Sequence, residues 1–243
     1  RAQIRHPESN LRLIDNSLIY FNFVPFQKQA VCLTVVKATA IIAWMLTRAR
    51  LKQVLSFQQK KGRKKGNVFL VEGIRLVGEA LLSDWQVVEL YYSHSFKEAE
   101  AAQKIFSLAR KKKIDAMEVQ EKAIRKMAET ETPPGVVVVV KKKSFELEIF
   151  LQSKPEFTLA LEAIKDPGNL GTIIRTADAF GADGIFISRD SVELYNPKVV
   201  RGSMGSLFHL PIFYPVLLPE LLSRLKGKSK VLAAVSRGGI SCH

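Results

Sequence analysis

The most constraining feature of this sequence is a succession of an apolar run, a polar loop, a helical pattern and a second apolar run. Residues 158–164 are mostly apolar and predict a buried strand. The polar sequence DPGN at residues 166–169 breaks that pattern, and Asn169 is placed to cap a helix through its side-chain oxygen. Apolar residues then recur at helical spacing, Gly181 is suited to end the helix, and residues 184–188 predict a second strand. The succession indicates a β-loop-α-β unit, whose polar loop lies where open α/β sheets bind ligands.

The preceding part of the chain, residues 67–143, alternates between strand and helix patterns. Strands are predicted at 68–71, 87–92, 118–119 and 135–140, and helices at 73–82, 98–112 and 122–129. Such an alternation predicts a compact α/β layer domain. Residues 144–155 are mixed in composition and predict a linker to the next domain.

Composition narrows the function classes without choosing one. The apolar share of 47% is ample for a core, and a net charge of +14 with a pI near 9.8 points to a polyanion partner or an acidic membrane face. Charge alone does not decide between these two. Cys32 and Cys242 give neither a disulfide framework nor a CxxC metal half-site, and the four histidines are scattered. We therefore expect a reducing compartment, no metal site and a structural role for His209.

The densest positive charge lies in residues 47–65, which carry eight basic side chains and no acidic one. Residues 59–66 predict an exposed loop. Lysines and arginines that contact phosphates release counterions, so this run predicts an RNA contact; the alternative is a solvated, flexible entry to the domain. The residues we expect to contact RNA here are Arg48, Lys52, Lys60, Lys61, Arg63, Lys64 and Lys65.

Three motifs give the sequence a resemblance to a known family. The first is KDPGNLGTIIRTADAFGADG at residues 165–184, and the second, at 190–211, contains Asn-Pro followed by Arg-x-Ser-x-Gly. The third pairs FLVEG at 69–73 with TPPGV at 132–136. Together they resemble the SpoU family of RNA ribose 2′-O-methyltransferases, within the knotted SPOUT superfamily, over roughly residues 47–243.

The resemblance implies an α/β fold in which a small α/β RNA-recognition domain precedes a parallel-sheet SPOUT (α/β-knot) methyltransferase domain. We expect an atypical extension at 1–46, a basic helix and loop at 47–66, the RNA-binding domain at 67–143, the linker at 144–155 and the methyltransferase domain at 156–243. The strand-like residues 230–235 lie close to the end of the sequence, and the family's later Gly-Asn-Glu-Gly and Ser-Leu-Asn motifs are not found. We therefore expect a copy that is incomplete at its C-terminal end and binds S-adenosylmethionine weakly.

Within the extension, residues 30–46 form an apolar run slightly shorter than the roughly 20 residues needed to span a bilayer. A membrane helix is one interpretation. We prefer a helix packed on the domain, or an upstream addition, and expect no membrane association.

The resemblance also assigns roles to single residues. Asn169 and Arg175 match active-site positions, where Arg175 would stabilise charge developing on a ribose oxygen. Without the resemblance, a helix cap and a structural salt bridge explain them equally well. Arg75 and Arg201 are further candidates for RNA contact. Glu72 and Arg75 follow the first strand, where they either face the substrate or are ordinary charges at a helix start. Val235 and Ser236 are the candidates for contact with S-adenosylmethionine.

The sequence therefore predicts an S-adenosylmethionine-dependent methyltransferase acting on a ribose 2′-hydroxyl of rRNA or tRNA, with rRNA favoured. We expect a cytoplasmic homodimer that uses no metal. The alternative is an RNA-binding module without catalysis.

Overall fold

The computed structural model of the protein describes residues 46–226 and 229–234. Its first elements are two helices, α1 (Arg48–Ser56) and α2 (Lys60–Gly66). The apolar run at 30–46 lies, apart from Leu46, outside the described residues. Among the residues that are described, no helix is long and apolar enough to cross a membrane.

A four-stranded sheet with intervening helices follows. Its elements are β1 (Val68–Glu72), α3 (Ile74–Leu82), β2 (Val87–Tyr92), α4 (His94–Lys97), α5 (Glu100–Lys111), β3 (Ala116–Glu118), α6 (Glu121–Met127) and β4 (Val136–Lys141). The strand order is β1-β4-β2-β3, with only β2 and β3 parallel. The predicted alternation is confirmed, with boundaries shifted by at most two residues and with α4 as an additional element.

Both faces of this sheet are covered, which explains the unbroken run of valines in β4. Alternate residues of a strand point to opposite faces. Val136, Val138 and Val140 pack into one core, shared with α3, while Val137 and Val139 pack into a second core with α1 and α6. A strand that is buried on both sides reads as a continuous apolar run.

Helix α1 is attached to the second face of the sheet by apolar and polar contacts together. Val54 is fully buried against the sheet. Arg50 forms an ion pair with Glu89 of β2, and the hydroxyl of Tyr91 donates to the same carboxylate at 2.6 Å. The basic N-terminal segment is therefore a fixed part of the fold.

The segment predicted to be a linker, residues 144–155, contains a helix, α7 (Leu147–Gln152). The ring of Phe150 packs against Phe213 and Phe186, with centroid distances of 5.0 and 5.8 Å. Its ring also lies so close to Gly184 that a Cβ at that position would be 2.7 Å from Phe150 Cζ. The segment predicted as a linker thus contains a helix, and aromatic side chains within it complete a core.

The second sheet contains three parallel strands, β5 (Thr158–Leu161), β6 (Gly184–Ser188) and β7 (Ile212–Val216), in the order β5-β6-β7. Between them lie α8 (Pro167–Ala179), α9 (Pro197–Gly202) and a 3₁₀ turn, η1 (Ser206–Phe208). Helix α10 (Leu218–Leu225) follows β7. The predicted parallel β-α-β unit is confirmed, and Gly181 ends its helix with a φ of 70°.

Two details of this sheet differ from the prediction. Strand β5 is shorter than the predicted 158–164 and only partly buried, because it pairs with a single neighbour among the described residues. Residues 231–234, part of the predicted strand at 230–235, form no regular element and are exposed. An apolar segment becomes a strand only where its backbone groups find partners, and the described residues offer none to this one.

The core is continuous between the two sheets. Phe69 of β1 packs against Tyr195, at 4.7 Å between ring centroids, and Trp85 packs edge-on against Phe208 at 5.3 Å. These side chains belong to one buried cluster that also contains Leu170 and Ile174 of α8. The predicted substrate-binding and methyltransferase parts therefore share one hydrophobic core.

Candidate active site and nucleic-acid interface

The loop between β5 and α8 positions the first candidate residues. The carboxylate of Asp166 accepts a hydrogen bond from the backbone N–H of Asn169 at 2.7 Å, which makes Asp166 the N-cap. Pro167 occupies the first helical position, where a missing N–H is tolerated. The prediction that Asn169 caps the helix is wrong, since Asn169 lies in the first turn. Its side-chain amide is exposed and is not used by the cap.

Asn169 and Arg175 both point to solvent from α8. They are six positions apart in sequence, which corresponds to a rise of about 9 Å along a helix. No acidic side chain of the described residues lies within ion-pair distance of Arg175. A structural salt bridge for Arg175 therefore has no partner in the described part of the chain, and the guanidinium is exposed.

The loops that follow β5 and β6 are joined at the carboxyl edge of the sheet. The Ser188 hydroxyl accepts from the backbone N–H of Ala163 at 2.9 Å. Lys165 donates to the main-chain carbonyl of Asp190 and lies 4.0 Å from its carboxylate. These contacts fix a polar surface at the strand ends, next to the start of α8.

Helix α9 packs on α8 through small residues. Asn196 caps α9 by accepting from the backbone N–H of Lys198 at 2.9 Å. A Cβ on Gly171 would lie 2.8 Å from backbone atoms of Gly202 and 2.9 Å from the carbonyl oxygen of Val199. This close approach of two backbones ties the position of α8 to that of α9.

Arg201 of α9 brings two of the family-like motifs together. Its Nη1 lies 3.5 Å from a Glu72 oxygen and 3.9 Å from Glu129. The Glu72 carboxylate also accepts from the backbone N–H of Glu129 at 2.8 Å. Beside it, the N–H of Gly73 donates to the carbonyl of Val136 at 3.1 Å, so the FLVEG and TPPGV motifs adjoin each other. Glu72 thus faces Arg201 of the methyltransferase part.

The basic segment forms an exposed cationic surface. Residues 59–66 were predicted as a loop, but residues 60–66 form α2, so that prediction is wrong. Lysine and arginine are good helix formers, and α2 is also anchored from within by one buried arginine. We define the basic surface by its exposed side chains, which are Arg48, Lys52, Lys60, Lys61, Lys64 and Lys65. Arg75 is likewise exposed, in the first turn of α3.

Arg63 is not part of this surface, because its side chain is buried. Its Nε lies 3.2 and 3.3 Å from the two carboxylate oxygens of Glu193, and Nη2 donates to the same carboxylate. Nη1 donates to the carbonyls of Phe57, at 3.1 Å, and Gln58. We therefore correct the expectation that Arg63 contacts RNA: its donors are already engaged inside the protein.

Glu193 has a second cationic neighbour. Lys142 Nζ lies 3.3 Å from a Glu193 oxygen and 4.9 Å from the centroid of the Tyr195 ring. Burial alone would raise the pKa of the Glu193 carboxyl, but the hydrogen bonds and charges of Arg63 and Lys142 outweigh it and lower that pKa. Glu193 is therefore an anion held between two cations.

His209 links α8 to the first half of the chain. Its Nδ1 lies 2.9 Å from the Asp178 carboxylate and its Nε2 lies 3.3 Å from that of Glu79. Burial lowers the pKa of His209, but the hydrogen bonds to Asp178 and Glu79 outweigh burial and raise it overall.

Sequence reasoning did not identify Asp166, Glu193 or Lys142. Asp166 had a usable signal, because an Asp immediately before Pro is a common helix start. Glu193 had none, since its partner Arg63 is 130 residues away in sequence. A buried pair of that kind becomes visible only in three dimensions.

The described residues supply only part of a cofactor site. Val235 and Ser236 lie outside them. The residues of the β5–α8 loop are mostly exposed. A groove of about 630 Å³ lies beside β7, lined in part by Lys142, Arg189 and Tyr214. The exposed side-chain amide of Asn169 follows the β5–α8 loop and is a polar group that could contact a bound methyl donor. The described residues do not bring three His, Cys, Asp or Glu side chains together as a metal site.

Comparison with known proteins gives two family matches and several relatives. Residues 48–138 match the MRM3-like substrate binding domain, and residues 156–243 match the SpoU rRNA Methylase family. The 23S rRNA (guanosine(2553)-2′-O)-methyltransferase RlmP of Bacillus subtilis is 31% identical over 194 residues, which cover 78% of this chain and 71% of the relative. The mitochondrial rRNA methyltransferase 3A of Danio rerio is 32% identical, over 68% of this chain and 38% of its own length.

A solved structure agrees with the sequence relatives. The SpoU methyltransferase AviRb from Streptomyces viridochromogenes, in complex with the cofactor AdoMet, superposes with a TM-score of 0.63 at 28% identity. The match covers 75% of this chain and 68% of that one. Because a relative above 30% identity is covered over most of its length, and both parts of the chain match the corresponding family models, the chain belongs to the SpoU rRNA methylase family.

Proposed function

We propose that this protein transfers a methyl group from S-adenosylmethionine to a ribose 2′-hydroxyl of rRNA. The observation that carries the proposal is the placement of Asn169 and Arg175 on α8: both side chains face solvent from a helix that starts at the carboxyl edge of a parallel sheet. RlmP, mitochondrial rRNA methyltransferase 3A and AviRb, all named methyltransferases, support it.

The reaction requires a ribose oxygen that becomes nucleophilic and is aligned with the methyl carbon. When bound, S-adenosylmethionine supplies an electrophilic methyl group on a positively charged sulfur. Arg175 remains protonated and so is not the base. It can hold an RNA phosphate through its paired N–H groups and stabilise the negative charge that develops on the 2′-oxygen. In our proposal, the proton of the ribose 2′-hydroxyl passes to a neighbouring RNA phosphate.

Asn169 has the complementary role of positioning. A side-chain amide offers both donors and an acceptor, and that of Asn169 is free of the helix cap. It is therefore available to the ribose or to the loop around it. Holding the ribose at the right distance and angle removes an entropic part of the barrier.

The basic surface supports RNA as the substrate. Its six exposed cations belong to two helices anchored on the sheet, so their relative positions are fixed. Arg75 extends our proposed contacts. Arg201, half-exposed beside Glu72, is our remaining proposed contact and would exchange a carboxylate partner for a phosphate.

The salt dependence of RNA binding tests this surface. We expect replacement of Lys60, Lys61, Lys64 and Lys65 by Gln to weaken binding and to reduce the slope of log K against log salt by about 3 to 4, since each phosphate contact contributes about 0.7 to 0.9. The matched control replaces four exposed lysines elsewhere, Lys104, Lys111, Lys113 and Lys122. Equal slopes in the two variants would show that RNA does not bind at the basic surface.

A tritiated-methyl transfer assay on transcribed rRNA tests the catalytic assignment. We expect Arg175→Ala to lower kcat by about 10²- to 10³-fold, the usual effect of removing one donor to a developing oxyanion. Arg175→Lys should restore little, because lysine lacks the planar fork. Arg110→Ala, at an exposed arginine on α5, is the control. Near-normal turnover in Arg175→Ala, or activity lost only together with a lowered melting temperature, would remove Arg175 from the active site.

The remaining details are proposals of the same kind. We infer rRNA rather than tRNA as the substrate, and parallel assays on both RNAs decide between them. We also propose a homodimer, to be tested by light scattering, and a cytoplasmic location, although one relative is mitochondrial. Residues 47–66, 67–143 and 156–243 remain our proposed functional divisions, with 1–46 as an extension.

An RNA-binding module without catalysis is not favoured, because the relatives above are named methyltransferases. S-adenosylmethionine is the methyl donor we expect, with Val235 and Ser236 as proposed contacts. Calorimetry with S-adenosylmethionine, on this chain and on any longer natural form that contains it, measures that binding directly.

A further inference from the structure

We propose that the buried Arg63–Glu193 pair is a positioning device, which locks the basic helix α2 onto the methyltransferase part so that bound RNA is held in register with α8. Arg63 and Glu193 themselves contact neither RNA nor cofactor in this proposal. The inference rests on the proposed function, since it assigns a purpose to a contact between the RNA surface and the catalytic helix.

The contacts of Arg63 restrict α2 in several directions at once. Nε and Nη2 engage the Glu193 carboxylate side by side, and Nη1 engages the carbonyls of Phe57 and Gln58, at the turn between α1 and α2. A planar guanidinium that binds a carboxylate through two donors fixes orientation as well as distance. Lys64 and Lys65, the next residues of the same helix, are exposed. Any RNA bound to them is held through a helix that Arg63 orients.

Glu193 continues the connection toward the candidate active site. Its main-chain carbonyl accepts from the N–H of Asn196 at 2.9 Å, and Asn196 caps α9. The last residue of α9, Gly202, is in backbone contact with Gly171 of α8, two residues beyond Asn169. An uninterrupted series of contacts thus leads from the basic surface to α8.

Stability alone does not account for this pair. The side chains of Arg63 and Glu193 are only 4% and 9% exposed, so both charges have left water. Desolvation on that scale largely cancels the attraction between the charges, and buried ion pairs are often replaceable by apolar side chains of similar volume without loss of stability. Such a replacement removes the two parallel hydrogen bonds from Arg63 to Glu193, and with them the fixed orientation of α2.

The test replaces both partners, in Arg63→Met/Glu193→Met, so that neither charge of the pair is left buried without the other; Lys142 loses its contact with Glu193 but reaches solvent. The matched control is Arg50→Met/Glu89→Met, a second Arg–Glu pair, which attaches the basic segment to β2 and not to the methyltransferase part. For each protein we would measure thermal unfolding, the Kd for transcribed rRNA, and kcat and KM for methyl transfer. Amide hydrogen exchange in residues 193–201, with and without rRNA, is the readout that does not require activity.

We expect the Arg63/Glu193 double variant to fold and to bind rRNA within about 3-fold of the wild type, because the lysines remain. Its kcat should fall by about 10- to 100-fold, since misplacement by about 1 Å costs about 10²-fold. Binding of rRNA should slow exchange at 193–201 in the wild type and in the control, but not in this variant. Arg63→Lys should not restore kcat, because lysine lacks the fork.

Other outcomes distinguish a failure of the positioning role from a failure of the proposed function. A folded double variant with normal kcat and normal protection of 193–201 overturns the positioning role and leaves the proposed function intact. A raised Kd with unchanged kcat overturns it as well, because the pair then serves binding only. A wild-type protein that neither binds nor methylates rRNA removes the proposed function, and this inference with it. A variant that unfolds would show that the pair is required for stability, which contradicts the argument above.

Discussion

Replacing Gly171 by Ala places a methyl group inside the contact between α8 and α9. The new Cβ would lie 2.8 Å from the Cα and carbonyl carbon of Gly202 and 2.9 Å from the carbonyl oxygen of Val199. All three are backbone atoms, so no change of rotamer relieves the overlap. Carbon atoms pack best at about 3.5–4.0 Å, and the two helices must therefore separate by on the order of 1 Å.

The stability change is the difference between two effects. Overpacking of this kind costs about 1–3 kcal/mol, whereas Ala in place of Gly within a helix contributes about 1 kcal/mol. The difference is a net loss of about 0–2 kcal/mol. For a chain of this size, each kcal/mol shifts the melting temperature by about 2–4 °C, so Gly171→Ala should melt at most about 8 °C lower and should not be stabilised.

The activity change should be larger than the stability change. Gly171 is two residues from Asn169 on α8, so a displaced helix moves the candidate catalytic side chains. A shift of about 1 Å in a catalytic group can cost about 10²-fold in rate. At a temperature where Gly171→Ala is fully folded, methyl transfer to rRNA should therefore fall by about 10-fold or more, with rRNA binding nearly unchanged.

Gly78→Ala is the matched control, because Gly78 also lies inside a helix but has room for a methyl group. Its Cβ would lie 3.8 Å from Ile105 Cδ1, an ordinary contact. This variant should be more stable than the wild type by about 0.5–1 kcal/mol. Thermal unfolding followed by circular dichroism measures both changes. If Gly171→Ala is stabilised as much as Gly78→Ala, α8 and α9 separate freely and the argument from close packing is refuted.

Two further predictions concern contacts of α8. The pKa of His209 is raised in the folded protein, so its contacts with Asp178 and Glu79 stabilise fully below the ordinary value of 6.5 and are lost as pH rises through the higher folded pKa. The melting temperature of the wild type minus that of His209→Gln should therefore shrink between pH 6 and pH 9; a constant difference would contradict this. Asp166→Ala removes the N-cap and should cost about 1 kcal/mol in urea unfolding, while Asp166→Asn, which retains a capping oxygen, should lose much less; equal losses would show that the cap contributes nothing.

Much of the fold was predictable because it depends on local periodicity. The valines of β4 and the apolar spacing of α3 each determine one element, and the loop of turn-forming residues before α8 could belong only between a strand and a helix. Asn169 and Arg175 came from a motif, and the structure adds that both are solvent-facing. In these elements, the residues that determine the structure are close to one another in the sequence.

The errors occur where a distant partner decides the outcome. Residues 59–66 contain two glycines and five cations and read as a loop, whereas the structure has α2 there, with Arg63 bound to Glu193, 130 residues away in sequence. The helix within residues 144–155 was not predicted, because the aromatic partners of Phe150, on β6 and β7, are not adjacent to it in sequence. Residues 231–234 were predicted as part of a strand because they are apolar. Among the described residues, no neighbouring strand pairs with them. Sequence patterns describe a segment, whereas these outcomes depend on what lies against it.

The basic segment shows why composition and function must be compared residue by residue. In sequence, Arg63 cannot be told apart from Lys64, and both contribute equally to the net charge. In the structure Arg63 is buried and bound to a carboxylate and two carbonyls, whereas Lys64 is exposed. If all eight cations of residues 47–65 served RNA directly, neutralising Arg63 would reduce the salt slope of binding as much as neutralising Lys64. The buried geometry instead requires that Arg63 leave the slope unchanged and affect the alignment of bound RNA, so salt titration and turnover respond to different members of one cationic run.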